Sequence, residues 1–204
     1  TCALPIFDES GPIPRFTDPR WNGYLSDVPL SLFRESFEAA LPETITAAEY
    51  LSQAGEHVDP FTRLRDGVTY RVRNCTRYSI EENLRIRLFV ELARAASEPA
   101  YELMGELMYQ SNGAYTQCGL GCPAIDELLS YVRDEGPAHG LYGAKVSGGG
   151  AGGTVVVLGR KDAEPAFDRV VSRYRAARGF EPYVFRDSSP GAMHFGRWRL
   201  EPAQ

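Results

Sequence analysis

Apolar residues return at helical spacing along much of the chain and change to a two-residue period in a few short runs. Across residues 29–40, Leu30, Leu32, Phe33 and Phe37 fall close to a 3.6-residue repeat, which predicts a short amphipathic helix. Residues 46–54 predict a second, with Ala47, Tyr50 and Leu51 on one side, and Asp59-Pro60 reads as a turn. Over residues 68–75 the period becomes two: Tyr70, Val72 and Asn74 alternate with Arg71, Arg73 and Cys75, the pattern of a strand. Helices are then expected over 82–96, with Leu84, Leu88, Phe89, Leu92 and Ala93 as the apolar stripe, and over 98–111, carried by Leu103, Met104, Leu107 and Met108. A break at Gly119 and Gly121 precedes another helix, whose first turn suits Pro123 and whose inward face is Ala124, Ile125, Leu128, Leu129 and Val132.

The last third reads strand, loop, strand, helix. Two β-favouring runs flank a glycine-rich loop. A helix then follows, with Asp162 as its N-cap, Phe167, Val170, Val171 and Tyr174 on its buried face, and Gly179 as its stop. Arg175 and Arg178 suit the negative end of that helix dipole. Residues 183–185 and 195–200 read as closing strands. Residues 7–20, with three prolines and two aspartates, read as irregular, and Trp21 opens the first stretch able to pack. Antiparallel strands with helices on one face make the expected class α+β, with an irregular and helical N-terminal appendage.

The loop itself is the most unusual feature: five of the six residues from Gly148 to Gly153 are glycine. Glycine takes positive φ without steric cost and lets a backbone come very close to another chain or a ligand. Successive bare N–H groups in such a turn can form a concavity for an anion. Gly148-x-Gly150-x-x-Gly153 formally fits the dinucleotide fingerprint, but that motif needs a helix opening directly after it. Here Thr154 to Leu158 is a β-branched run, so the loop joins two strands. The Walker pattern fails as well, because no Lys-Ser or Lys-Thr follows the glycines. The plain alternative is a surface hairpin without a ligand.

Composition narrows the choice further. A chain of 204 residues can hold one sizeable core, and 43% hydrophobic with 24% charged residues is ordinary for a globular protein. A net charge of −5 and a pI near 5.3 argue against nucleic acid or an anionic membrane surface as the main partner. No apolar run approaches the roughly 20 residues a membrane span needs, and no secretory leader pattern opens the chain. Four cysteines (Cys2, Cys75, Cys118, Cys122) are too few for a disulfide scaffold, so a reducing cytoplasm is the expected setting. Cys118-x-x-x-Cys122 lacks zinc-ribbon spacing and a second ligand pair, so no metal site is assigned and buried or half-buried free thiols are expected. His57, His139 and His194 stand apart from any triad pattern and are read as structural or exposed. Thr1-Cys2-Ala3-Leu4-Pro5-Ile6 is what a common sequencing-library adapter encodes in frame, so residues 1–6 are expected to be a scar. The missing initiator methionine fits a reading frame entered in its middle.

Gly143-Ala144-Lys145-Val146-Ser147-Gly148-Gly149-Gly150-Ala151-Gly152-Gly153-Thr154 resembles the third, C-terminal signature of the GHMP kinases. Glu106-Leu107-Met108-Tyr109-Gln110-Ser111 and Cys122-Pro123-Ala124-Ile125-Asp126-Glu127-Leu128-Leu129 resemble the helical segments that precede this loop in galactokinases. Tyr115-Thr116-Gln117-Cys118-Gly119-Leu120-Gly121 and Ser188-Ser189-Pro190-Gly191-Ala192 are similar to the kinase portion of L-arabinokinases. The resemblance runs from about Trp21 to Leu200.

That likeness implies a ferredoxin-like antiparallel sheet over residues 68–204, with 7–67 as the junction from an N-terminal domain. It implies a parent enzyme that transfers the ATP γ-phosphoryl group, with Mg²⁺, to the anomeric hydroxyl of galactose or L-arabinose. The phosphate loop, metal ligands and catalytic aspartate of such enzymes belong to the N-terminal domain. Neither a P-x-G-x-G-L-x-S-S loop nor a G-R-x-N-x-x-G-E-H-x-D-Y segment occurs in this sequence. The chain is therefore expected to be inactive alone, with no catalytic or metal-binding residue of its own and the N-terminal kinase domain as partner. By the same resemblance Ser147, Gly148, Gly149, Gly150, Gly152 and Gly153 would border the nucleotide phosphates. Adding a β-carbon at any of these glycines is expected to meet steric exclusion as well as backbone strain. Asn83 falls where galactokinases place a tyrosine on the sugar and is the candidate substrate contact; the alternative is a surface residue at a helix N-terminus. Lys145, opposite Ala144 and Val146 by alternation, is expected to be solvated rather than a phosphate partner. The rival readings are a non-catalytic sugar sensor and a free-standing module whose glycine nest takes an anion.

Overall fold

The computed structural model describes residues 6–8, 15–18, 20–55, 63–148, 153–186, 194 and 196, with backbone alone for 6–8, 15–17 and 54. Among these, the first pieces are two three-residue strands, β1 (Ile6–Asp8) and β2 (Arg15–Thr17), paired antiparallel with Ile6 opposite Thr17. The sequence reading of 7–20 as irregular is corrected here, since strands this short leave no period to detect. A short helix α1 (Leu30–Ser36) follows, then a two-residue strand β3 (Ile45–Thr46) and helix α2 (Ala47–Ala54). α2 starts where expected because Thr46 and Glu49 form a reciprocal capping box: the Thr46 hydroxyl accepts from the Glu49 N–H, and the Glu49 carboxylate accepts from the Thr46 N–H at 2.8 Å.

Strand β4 (Thr69–Tyr70) pairs with β3, and helix α3 (Val72–Ala95) begins directly afterwards. The expected strand over 68–75 is therefore confined to two residues, and the helix expected from 82 starts ten residues earlier. The arginines show why. On a helix Arg73, Arg77 and Ile80 share a face, and that face meets the N-terminal segment. Arg73 Nε donates to the Leu41 carbonyl at 3.0 Å, Arg77 pairs with Glu38, and Ile80 closes a small core with Val28 and Phe33. Alternation of short polar and apolar residues gave way to these long-range contacts.

Ala96, in the left-handed region, ends α3, and α4 (Glu98–Tyr115) turns back against it. Residues 116–120 form a wide turn with Gly119 at φ +87°. The turn is stapled to α3 by Arg71 Nη1 and Asn74 Nδ2, which both donate to the Gln117 carbonyl. Helix α5 (Pro123–Glu135) comes next, followed by strands β5 (Leu141–Ser147) and β6 (Thr154–Gly159), paired antiparallel, and helix α6 (Glu164–Arg178). The N-cap of α6 is Ala163, not Asp162; Asp162 instead accepts from Arg160 Nε at 3.0 Å. Gly179, at φ +73°, stops α6 as expected. Residues 183–185 lie in no strand, which corrects the first of the two closing strands; the other, 195–200, lies outside the described residues apart from Gly196.

The main core joins three elements. Ile125, Leu129 and Val132 of α5, Ala144 and Val146 of β5, and Ala166 and Val170 of α6 pack together, with Val155 and Val157 of β6 against them. Small antiparallel sheets among packed helices make the chain α+β. The expected apolar stripe of α3 is not buried: Leu84 and Leu88 are exposed, and so is Leu103 on α4. Periodicity identified an apolar face, but no described residue covers it.

Candidate functional site

β5 carries two different faces. Ala144 and Val146 enter the core, while Lys145 between them points the other way, opposite Val156 of β6. Glycine against glycine brings α4 up to this strand: a Cβ on Gly105 would lie 1.9 Å from the Tyr142 carbonyl oxygen, so only glycine permits the approach. Asn112, buried one turn before the end of α4, locks it. Its Oδ1 accepts the Val146 N–H at 3.2 Å, and its Nδ2 donates to Asp126 of α5 at 3.0 Å.

Lys145 then reaches Glu82 of α3, Nζ to Oε1 at 3.1 Å. The expectation of a solvated lysine is corrected: alternation gave the right face, but that face looks onto a helix. The Glu82 carboxylate also accepts from Ser111 Oγ at 2.7 Å and from Arg85 Nε at 2.7 Å. Burial pushes the Glu82 carboxyl up, but these three donors outweigh it and hold the group below the usual glutamate range. Arg85 is itself buried and shares Glu81 with Arg34. Its Nη2 is buried with no hydrogen-bond partner.

These residues floor a cleft of about 420 Å³ between α3, α4 and the β5–β6 hairpin. Lys145, Ser147 and Gly148 form its polar lip; Ile86, Phe89, Val90, Leu107 and Val156 form an apolar wall. Tyr78 and Tyr115 close one end with ring centroids 5.4 Å apart, and the Tyr115 hydroxyl donates to the Gly148 carbonyl at 3.4 Å. Burial, with Glu82 nearby, pushes the Tyr78 hydroxyl above its ordinary range.

Of the sequence-derived candidates, Ser147 and Gly148 lie at this lip, and Gly153 stands at the other end of the loop. Gly148 has φ +85° and Gly153 φ +118°, and neither has another group within 4 Å of a would-be Cβ. At these two positions no described residue excludes a β-carbon, and backbone strain is what the described residues impose. Gly149, Gly150 and Gly152 lie outside the described residues. Asn83 is half-buried mid-helix rather than at a helix N-terminus, and its Nδ2 donates to the Ser26 carbonyl at 2.7 Å, tying the 25–27 turn to α3.

Cys118 and Cys122 are half-buried free thiols, and Cys75 is free and exposed. Burial and the neighbouring Cys75 push the Cys118 thiol up to about 12. His139 is exposed with Nδ1 against the Glu135 carbonyl, His194 is exposed, and His57 lies outside the described residues. Among the described residues no group of three His, Cys, Asp or Glu side chains could hold a metal. No described helix is long and apolar enough to cross a membrane.

The sequence reading did not single out Gly105, Ser111, Asn112 or the Glu82–Arg85 pair. One signal was available: Ser111 and Asn112 continue the Met104–Met108 stripe at helical spacing, which places polar groups on a buried face.

Residues 89–176 match the family described as GHMP kinases, C terminal. L-arabinokinase of Arabidopsis thaliana is 33% identical over 188 residues, covering 87% of this chain and 18% of that protein. A galactokinase of Thermosipho africanus is 26% identical over 170 residues, 82% of this chain and 45% of that protein. A mevalonate kinase of Saccharolobus solfataricus is 36% identical over 67 residues, a third of this chain and 20% of that protein. The chain thus spans less than half the length of these curated relatives. With the hairpin and its flanking helices inside or beside the matched span, the chain contains a GHMP kinase C-terminal domain.

Proposed function

We propose that this chain is the C-terminal part of a sugar kinase that phosphorylates the anomeric hydroxyl of an aldose, galactose or L-arabinose, to the sugar 1-phosphate. The observation that carries the reading is the hairpin. Its glycines join two strands, Gly148 and Gly153 hold conformations that favour glycine, and no described residue lies within 4 Å of a would-be Cβ on either, so another backbone could approach there. Similarity to L-arabinokinase and galactokinase supports a sugar as substrate.

Phosphoryl transfer is mostly positioning and charge stabilisation. The Ser147 hydroxyl at the lip, without a partner among the described residues, fits a phosphate oxygen. When bound, ATP would supply the transferred phosphoryl group, and Ser147 with Gly148 would border it. In this reading the metal ligands and the carboxylate that orients the sugar hydroxyl belong to an N-terminal kinase domain, the proposed partner. The role of Asn83 narrows, because one N–H of its amide is committed to Ser26; the second N–H and the carbonyl oxygen remain for a sugar hydroxyl. The free thiols of Cys75, Cys118 and Cys122 are in keeping with a cytoplasmic setting.

The test compares this chain with the polypeptide read through from the uninterrupted upstream frame. Both are purified free of host kinases and given ATP, Mg²⁺ and either sugar. The longer protein is expected to form sugar 1-phosphate and this chain none. Sugar phosphate made by the chain alone, or none by the longer protein with any aldose, overturns the reading.

A further inference from the structure

The cleft behind the lip has an imbalance that the kinase reading does not use. Among the described residues its only carboxylate, that of Glu82, is already met by three donors: one oxygen accepts from Ser111 and Lys145, the other from Arg85. The donors themselves are not fully paired. A lysine ammonium has three N–H groups, and Lys145, about a third exposed, spends one on Glu82. The Ser147 hydroxyl has no partner among the described residues, and Arg85, only 9% exposed, keeps Nη2 unpaired. Two cations face one carboxylate in a chain whose net charge is −5. Glu81, behind Arg85, does not restore the balance, because Arg34 shares it.

Beyond this donor-rich floor the cleft is apolar. Ile86 and Val90 lie one turn apart on α3, Phe89 is beside them, and Leu107 and Val156 face them. A volume of about 420 Å³ is within the usual range for a small-molecule pocket. An unpaired buried guanidinium nitrogen costs stability unless an acceptor meets it or comes near, and a bare apolar wall gains by being covered.

We infer that this cleft is a binding site for a small amphipathic carboxylate, with its anionic head at Lys145 and its compact aromatic or branched body against Ile86, Phe89 and Val156. Phosphate-side contacts of the glycine loop are a separate matter: they need Ser147 and Gly148 at the outer edge, whereas this ligand lies beneath the hairpin with its head at Lys145. The inference does not depend on the kinase reading.

Isothermal titration of the 204-residue chain tests it, with 2-naphthoate as the probe and 2-naphthylmethanol as its neutral match. Naphthoate is expected to bind one to one and at least tenfold tighter than the alcohol. Lys145→Met should remove that tenfold preference. Val156→Glu, at a half-exposed position where folding is easily checked by circular dichroism, should weaken naphthoate at least tenfold by repulsion. Equal binding of acid and alcohol, no binding of either, or Lys145→Met without effect overturns the inference. ATP is expected not to compete with naphthoate. Competition would assign the cleft to the nucleotide, overturning this inference and leaving the kinase reading standing. Failure of sugar phosphorylation would leave the cleft result untouched.

Discussion

Gly105 of α4 lies against Gly143 of β5 so closely that a Cβ on Gly143 would sit 2.4 Å from the Gly105 Cα. This contact sets the spacing between helix and strand, and so the position of Lys145 two residues further along β5. The prediction is a contrast on one helix. Gly105→Ala must push α4 away from the strand, and should destabilise the chain by about 3 kcal/mol, the upper range of overpacking. Gly113→Ala, where no other group lies within 4 Å, should stabilise by about 0.5–1 kcal/mol through helix propensity. Urea denaturation of both variants reads the difference.

Glu82 links α3, α4 and β5, and its titration should show in stability. Its folded pKa lies below the unfolded value, so its contribution is fully present above the unfolded glutamate pKa, about 4.3. That contribution is lost as pH falls through the folded value. Glu82→Gln should destabilise at pH 7 by about 2 kcal/mol, the order of a buried charged donor left without its acceptor. It should also flatten the loss of stability below about pH 4.3. Melting curves from pH 3 to pH 7 for both proteins check this; parallel curves would exclude the role.

At the loop, Gly148→Ala and Gly153→Ala meet strain but no clash with any described residue. Each should cost about 1–2 kcal/mol of stability. Under the proposed function the same substitutions in the longer polypeptide should lower phosphorylation far more than stability, because there another backbone would lie against them. Equal, small effects on both readouts would argue for a plain surface hairpin.

Among the thiols, Cys75 is exposed whereas burial and Cys75 itself raise Cys118 to about 12. The thiolate is the reacting form. Iodoacetamide at pH 8, followed by peptide mass spectrometry, should therefore label Cys75 well before Cys118.

Thr46→Ala removes the hydroxyl that caps α2 and should cost about 1 kcal/mol, read by the same denaturation. Thr46→Ser should restore it.

Features governed by neighbours in the chain were legible from residues alone. The glycine run between β-branched residues, the Pro123 start of α5 and the Gly179 stop of α6 are all local matters of backbone freedom and short-range hydrogen bonding. The start of α3 was not legible, because local alternation around Val72 conflicts with contacts that Arg73 and Arg77 make more than thirty residues away. Exposure of Leu84 and Leu88 escaped for the converse reason: a period shows that a helix has an apolar side, not that anything covers it.

The candidate site divides along the same line. Residue order alone put the glycines between two strands and set Lys145 on the face opposite Ala144, since a strand alternates without reference to the rest of the molecule. What waits beyond that face follows no period. Glu82 is 63 residues earlier and Ser111 is on another helix, and they meet Lys145 because Gly105 and Asn112 fasten α4 to β5. A partner brought by packing between distant segments carries no local pattern, so the charge held at Lys145 could be read only from the folded chain.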